Sequence, residues 1–168
     1  MNGTAGPENL EEARVHAILI SPGHNFVGHH GKPPAENPVS LVAEIECVAG
    51  KGLSGDRFFG HRKDYKGQIT FIAREDIDAV ADALGLESVD PALFRRNVVV
   101  SGVELNELVG RRFLLQGIEF EGVEPCRPCY WMDRAVVPGA EAAMGGRGGL
   151  RARILTSGTL RVETGGEE

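Results

Sequence analysis

Two cysteines stand three residues apart in EPCRPCYWMD (124–133), with an arginine and a proline between them. Thiols in this spacing serve one of three chemistries. They form a redox pair, they supply half of a zinc site, or one sulfur alone ligates a soft, redox-active metal. Downstream, GGRGGLRARIL (145–155) sets Arg147, Arg151 and Arg153 among four glycines, and Arg95/Arg96 and Arg111/Arg112 form further pairs. Guanidinium groups and backbone N–H groups in such stretches suit a phosphate. Solvated strand faces are the plainer reading of any one pair.

Each cysteine chemistry asks for companions. A zinc site needs four ligands, commonly two chelating pairs. Cys126 and Cys129 would have to recruit Cys47 or the loop histidines His24, His29 and His30, and no second pair has zinc-finger spacing. A thiol redox motif places its first cysteine at a helix N-terminus, where the dipole lowers the thiol pKa. YWMDRAVVPG after Cys129 shows no clean amphipathic helix, and no βαβ unit precedes the motif. Two buried cysteines acting as small hydrophobes remain a fourth reading. Three cysteines are too few for a disulfide scaffold, and a reducing cytosol would keep them as thiols.

The elements that must position these residues follow from apolar periodicity and turn chemistry. VHAILIS (15–21) reads as a first strand, closed by Pro22. PGHNFVGHHGKPPAENP reads as a long loop, and ordered long loops are often functional. SLVAEIECVA returns to strand, and GKGLSGDRFFG is a glycine-spaced turn carrying Asp56 and Arg57. GQITFIA (67–73) is a strand, followed by a helix in REDIDAVADALGL with Ile77, Val80, Ala81 and Leu84 on one face and Gly85 as its stop. FRRNVVVSG (94–102) reads as one strand, which puts Arg95 and Asn97 on the same face. LNELVG is a short turn or helix, and RRFLLQGIEFEG two strands around Gln116–Gly117. VPGAEAAMGG is a short helix, and RARILTSGTLRVET a closing hairpin around Ser157–Gly158. The glycine run 145–149 precedes a strand, so it is neither a dinucleotide fingerprint nor a phosphate-binding loop of the GK[ST] type.

Short strands, tight turns and few helices predict a strand-rich mixed α+β fold, its sheet closing into a barrel with helices outside. A chain of 168 residues fits one domain, expected over 15–165 with 1–14 disordered. The formal net charge of −6 argues against nucleic acid and, beside local arginine clusters, for a small anionic ligand. The absence of an apolar run near the roughly 20 residues of a membrane span, and of a signal-peptide pattern, predicts no membrane association and a cytoplasmic protein.

GLSGDRFFG, GQITFIAREDI, FRRNVVVSGVELNELVGRRF, EPCRPC and GGLRARILTSGTLRVETG, in this order and spacing, resemble the MOSC domain. That domain closes molybdenum cofactor sulfurases and occurs in the mitochondrial amidoxime-reducing component and in small bacterial stand-alone proteins. The resemblance covers roughly residues 15 to 165 and implies a mixed β-barrel with peripheral helices that binds molybdenum cofactor (molybdopterin). It implies that Cys129, in RPCYWM, is the molybdenum ligand or sulfur carrier, and that Cys126 stands where relatives commonly carry another residue. Arg95 and Asn97 match the R-x-N element that holds pterin and phosphate, the GDR turn brings Asp56 and Arg57 toward the same cleft, and Arg147 or Arg151 would add to it. The activity implied is reduction of an N-hydroxylated small-molecule substrate with electrons from a separate reductase. The alternative is a carrier of cofactor or persulfide sulfur, charged by a cysteine desulfurase. A proton donor near the metal would come from His24, His29 or His30.

Overall fold

The structure, a computed structural model, describes residues 6–21, 39–126 and 138–163. Eleven strands among them form two sheets. Strands β1 (Glu8–Asn9), β2 (Arg14–Ile20), β3 (Ser40–Val42), β6 (Ile69–Ala73), β7 (Val98–Ser101), β8 (Arg112–Leu115), β9 (Ile118–Pro125) and β10 (Leu150–Ile154) make a mixed eight-stranded sheet, ordered β1-β8-β9-β10-β6-β7-β2-β3. Strands β4 (Glu44–Val48), β5 (Gly52–Leu53) and β11 (Gly158–Arg161) make a smaller antiparallel one, ordered β11-β4-β5. Two α-helices, α1 (Arg74–Ala83) and α2 (Ala140–Ala143), and two 3-10 helices, Pro91–Phe94 and Leu105–Leu108, complete the described elements.

The period-2 alternation of the strands sorts side chains between two cores. Ile69 and Phe71 of β6 and Val98 and Val100 of β7 join Phe113, Phe120, Leu150 and Ile154 in the larger core. Ile45, Cys47, Leu53 and Leu160 of the small sheet share that core, so the small sheet covers one face of the large one. The rings of Phe71, Phe113 and Phe120 lie 5.5–5.8 Å apart at its centre. The residues between them, Ile72 and Val99, face the other way with Leu19 and receive Ile77, Val80 and Ala81 of α1, together with Phe94, Ala140 and Met144.

Helix α1 lies where its apolar spacing predicts. It ends in a Schellman motif: Leu86 N–H donates to Ala81 O and Gly85 N–H to Asp82 O, with Gly85 at φ +71°. The β8–β9 hairpin turns through Gln116 and Gly117, both at positive φ.

Four expectations are corrected. SLVAEIECVA is two strands that part at Ala43 into different sheets. The strand expected over 94–102 begins only at Val98, because Phe94 closes a 3-10 helix and Arg95 adopts a left-handed conformation at φ +59°. The closing hairpin does not form. After Ile154 the Leu155 N–H donates to Glu119 O, and β11 leaves to pair with β4 (Gly158 opposite Cys47) while β10 stays between β9 and β6. The segment expected to be disordered before residue 15 contains β1, paired in parallel with β8, and the start of β2. The ladder of the large sheet runs open from β1 to β3, and no pairing among the described residues closes it into a barrel. No helix among the described residues is long and apolar enough to cross a membrane.

Candidate functional site

Four guanidiniums meet in one small pocket of about 110 Å3, lined by Arg57, Arg95, Arg96 and Arg151 with Phe58, Tyr65, Gly67, Thr70 and Cys126. Five segments deliver them, and each is held by bonds that leave the cationic groups at the pocket wall.

The GDR turn after β5 brings Arg57. Asp56 is 5 % exposed, and its carboxylate accepts from Ser21 N–H (3.0 Å), Phe58 N–H (3.4 Å) and the Arg57 guanidinium (3.4 Å). Arg57 N–H donates to Ser21 O at 2.7 Å, so the end of β2 anchors the turn from both directions. The Arg57 guanidinium then reaches across to Arg95 O (3.2 Å) and lies 4.8 Å from the Phe58 ring centroid. Burial lowers its pKa, Asp56 opposes that, and the neighbouring Arg96 cation adds to it.

The 3-10 helix Pro91–Phe94, capped by the Asp90 side chain on Ala92 N–H, turns the chain so that Arg95 and Arg96 both face the pocket. Arg95 occupies the left-handed region, an uncommon conformation for a residue with a Cβ, and its guanidinium is pushed down to about 10 by burial and then by Arg57, with Asp56 opposing. Arg96 ties the turn to the glycine run: its Nε donates to Gly148 O (2.7 Å) and one Nη to Phe94 O (2.9 Å). Arg151 comes from β10 and pairs loosely with Glu124 at 3.7 Å, which in turn holds Lys66 at 3.0 Å. Cys126 follows the last residue of β9; its backbone N–H donates to Gly149 O (2.8 Å), and the residue lines the pocket. Gly149 is required there. It sits at φ +104°, and a Cβ would run into Phe71 O.

Among the described residues Asp56 pairs with Arg57, and Glu124 with both Arg151 and Lys66, so the cations around the pocket outnumber the carboxylates that face them. A dianionic oxyanion that accepts hydrogen bonds on several oxygens is the complement of this donor set.

Of the residues singled out from the sequence, Arg57, Arg95 and Arg151 meet here. Asn97 does not line the pocket. It is 2 % exposed, its Oδ1 accepts from Thr70 N–H (2.9 Å) and Thr70 Oγ1–H (3.1 Å), and its Nδ2 donates to Leu19 O (3.1 Å). It fastens β2, β6 and the start of β7 beneath the arginine turn. Arg147 lies elsewhere, in a cavity of about 530 Å3 with Glu75, Asp76, Glu104 and Asn106, and donates to Ala143 O (3.0 Å). Burial raises the Asp76 carboxyl in that cavity, against Arg147 and with Glu104 and Glu75. Cys129 and the loop histidines His24, His29 and His30 lie outside the described residues. Among the described residues no three His, Cys, Asp or Glu side chains converge as a metal site. The pocket residues that sequence reasoning passed over are Arg96, Thr70, Phe58 and Tyr65. The RR pair was the visible signal for Arg96, but a strand assignment sends adjacent side chains to opposite faces.

The MOSC domain model matches residues 28–166. No curated protein sequence matches the chain. In three dimensions it is similar to the YUAD protein from Bacillus subtilis, with a TM-score of 0.73 at 18 % identity, covering 89 % of this chain and 91 % of that one. It is also similar to YiiM from Geobacillus stearothermophilus (TM-score 0.62, 14 % identity, 89 % and 71 % covered). YiiM from Escherichia coli follows at 0.59 and 18 %, covering 88 % of this chain and 65 % of that one. These likenesses establish a shared fold.

Proposed function

Because the chain belongs to the MOSC domain family, which is associated with molybdenum cofactor binding, we propose that the arginine pocket receives the phosphate of that cofactor. The observation that carries this reading is the convergence of Arg57, Arg95, Arg96 and Arg151 on one cavity with a thiol, Cys126, in its wall. The donor set fits the group: among the described residues it presents cations, and the carboxylates beside them, Asp56 and Glu124, are paired. Arg57 and Arg95 bind the charged end, with Asp56 holding Arg57 in register through Ser21. Arg96, tied to the glycine run through Gly148, and Arg151, on β10, close on it from the turn before β7 and from the sheet. Cys129, beyond the described residues, is the metal ligand of this proposal.

When bound, the cofactor supplies two-electron redox chemistry at molybdenum. The reaction proposed is reduction of an N-hydroxylated small molecule: two electrons from a separate reductase and two protons break the N–O bond, and oxygen leaves as water. The second reading is a carrier of cofactor or of sulfur received from a cysteine desulfurase. Cys126 favours it, since it adds a second cysteine, beside the proposed Cys129, to the lining of an arginine-rich pocket.

The test is protein made in a host that synthesises molybdenum cofactor, with molybdenum and pterin counted per chain. About one of each is expected in the wild type, lost together in Arg57→Ala and Arg151→Ala. Cys129→Ser is expected to lose molybdenum, and Cys126→Ser to keep most of it. Stoichiometric zinc without pterin would overturn the reading. Loaded protein that reduces an amidoxime with an artificial donor is an enzyme; one that only transfers cofactor or sulfur to an acceptor is a carrier.

A further inference from the structure

Tyr65 belongs to the pocket, yet nothing in the family reading uses it. Its ring is confined on several sides. It stacks on Phe58 with centroids 5.2 Å apart, and His61 meets its ring obliquely at 4.7 Å. Its hydroxyl end lies over Gly67, where a Cβ would come within 3.1 Å of Cε2 and 3.3 Å of Oη. Gly67 and Tyr65 both line the pocket, so the phenol end of the ring lies close to its wall. The hydroxyl makes no hydrogen bond to any described residue. It interacts electrostatically with the Arg57 guanidinium, which offers donors only.

Tyr65 is half-buried, and its hydroxyl, beside a guanidinium that only donates, has its proton to give and no acceptor among the described residues. The group that would satisfy it is the one that would satisfy the arginines. We propose that Tyr65 is a ligand-contacting residue of this pocket, its hydroxyl donating a hydrogen bond to the terminal oxyanion, a phosphate monoester, that the arginines hold. Phe58 and Gly67 fix the ring so that this donor is preset: Phe58 by stacking, Gly67 by having no side chain where Tyr65 lies. A neutral donor among cations also shapes specificity, because it rewards an oxygen at one position in the pocket, whereas the guanidiniums attract any anion.

The inference rests on the arginine-pocket reading, and the experiment separates the two. Inorganic phosphate is titrated calorimetrically into the full chain as wild type, Tyr65→Phe and Gly67→Ala, with the unfolding temperature of each measured alongside. Tyr65→Phe keeps the ring and its stacking and deletes only the donor. Its phosphate Kd is expected to rise roughly ten- to hundredfold, the range for a hydrogen bond to a charged group, with unfolding unchanged. Gly67→Ala must push the phenol aside and is expected to weaken phosphate binding with the hydroxyl still present. Wild-type affinity in Tyr65→Phe overturns the role of Tyr65 and leaves the arginine pocket standing. No phosphate binding by the wild type overturns both.

Discussion

Arg95 shows most clearly what the pocket costs the protein. It combines a left-handed backbone with a guanidinium crowded by burial and by Arg57. Strain of this kind persists where surrounding structure imposes it, and it gathers at functional sites. The backbone part can be isolated by comparing Arg95→Gly with Arg95→Ala. Both remove the cation, but only glycine relaxes φ +59°, so Arg95→Gly is expected to be the more stable by about 1 kcal/mol. That is roughly 2–4 °C in unfolding temperature for a chain of this size. The charge part is legible in pH. The folded protein holds this guanidinium at about 10, below its ordinary value, so the cost of the buried cation is present at neutral pH and fades only as pH rises past about 10. A bound oxyanion favours the charged form. Phosphate affinity is therefore expected to fall as pH climbs through about 10, and that component of the fall is expected to be missing in Arg95→Ala. A wild-type profile identical to that of the variant would mean Arg95 does not touch the anion.

Among the elements, the start of β7 decides whether the arginines face the pocket. Asn97 makes hydrogen bonds that join β6 and β2 to the residue preceding Val98. Asn97→Ala strands the Thr70 N–H and the Leu19 carbonyl in a buried setting. It is expected to lose about 3 kcal/mol in urea unfolding. Asn97→Asp keeps the acceptor for Thr70 and is expected to lose less. Phosphate affinity is expected to drop in both through the displaced turn, with the Tyr65→Phe effect reduced in the same backgrounds. This element also marks where the sequence stops being readable. Helix α1 and strands β2, β6, β8 and β9 follow from local periodicity and local turns, so they stand where 3.6- and 2-residue patterns place them. FRRNVVV reads as continuous strand because a buried Asn and a left-handed Arg leave no trace in a local pattern. The pairing of β11 with β4 is hidden for a similar reason. Ser157 and Gly158 have the chemistry of a tight turn, but the partner strand lies about a hundred residues back in the chain. Arg57 and Arg151 were legible as residue types; that Arg96, Thr70 and Tyr65 join them depends on segments meeting in space.

At the scale of the whole molecule, the two sheets share one core, and neither is expected to survive alone. The small sheet has strands of five, two and four residues, too little to bury an apolar face without a partner. Ile45, Cys47, Leu53 and Leu160 pack instead into the cluster built around Phe71, Phe113 and Phe120. Cys47 offers a probe of that union. It is fully buried, and burial pushes its thiol up to about 12, helped by Glu46 and opposed by a backbone hydrogen bond at Leu160. Only the thiolate reacts with an alkylating agent, so native Cys47 at pH 8 is protected twice, by access and by protonation. In a urea series, alkylation of Cys47 read by mass spectrometry is expected to follow the loss of far-ultraviolet circular dichroism, which reports mainly on the eight-stranded sheet and α1. One coincident midpoint is the signature of a single cooperative unit. Alkylation of Cys47 at lower urea than the circular dichroism midpoint would mean that β11, β4 and β5 open as a unit of their own while the sheet carrying Arg95, Arg96 and Arg151 stays folded. The GDR turn that follows β5 would then loosen first, and Arg57 would be the first of the four guanidiniums to leave the pocket.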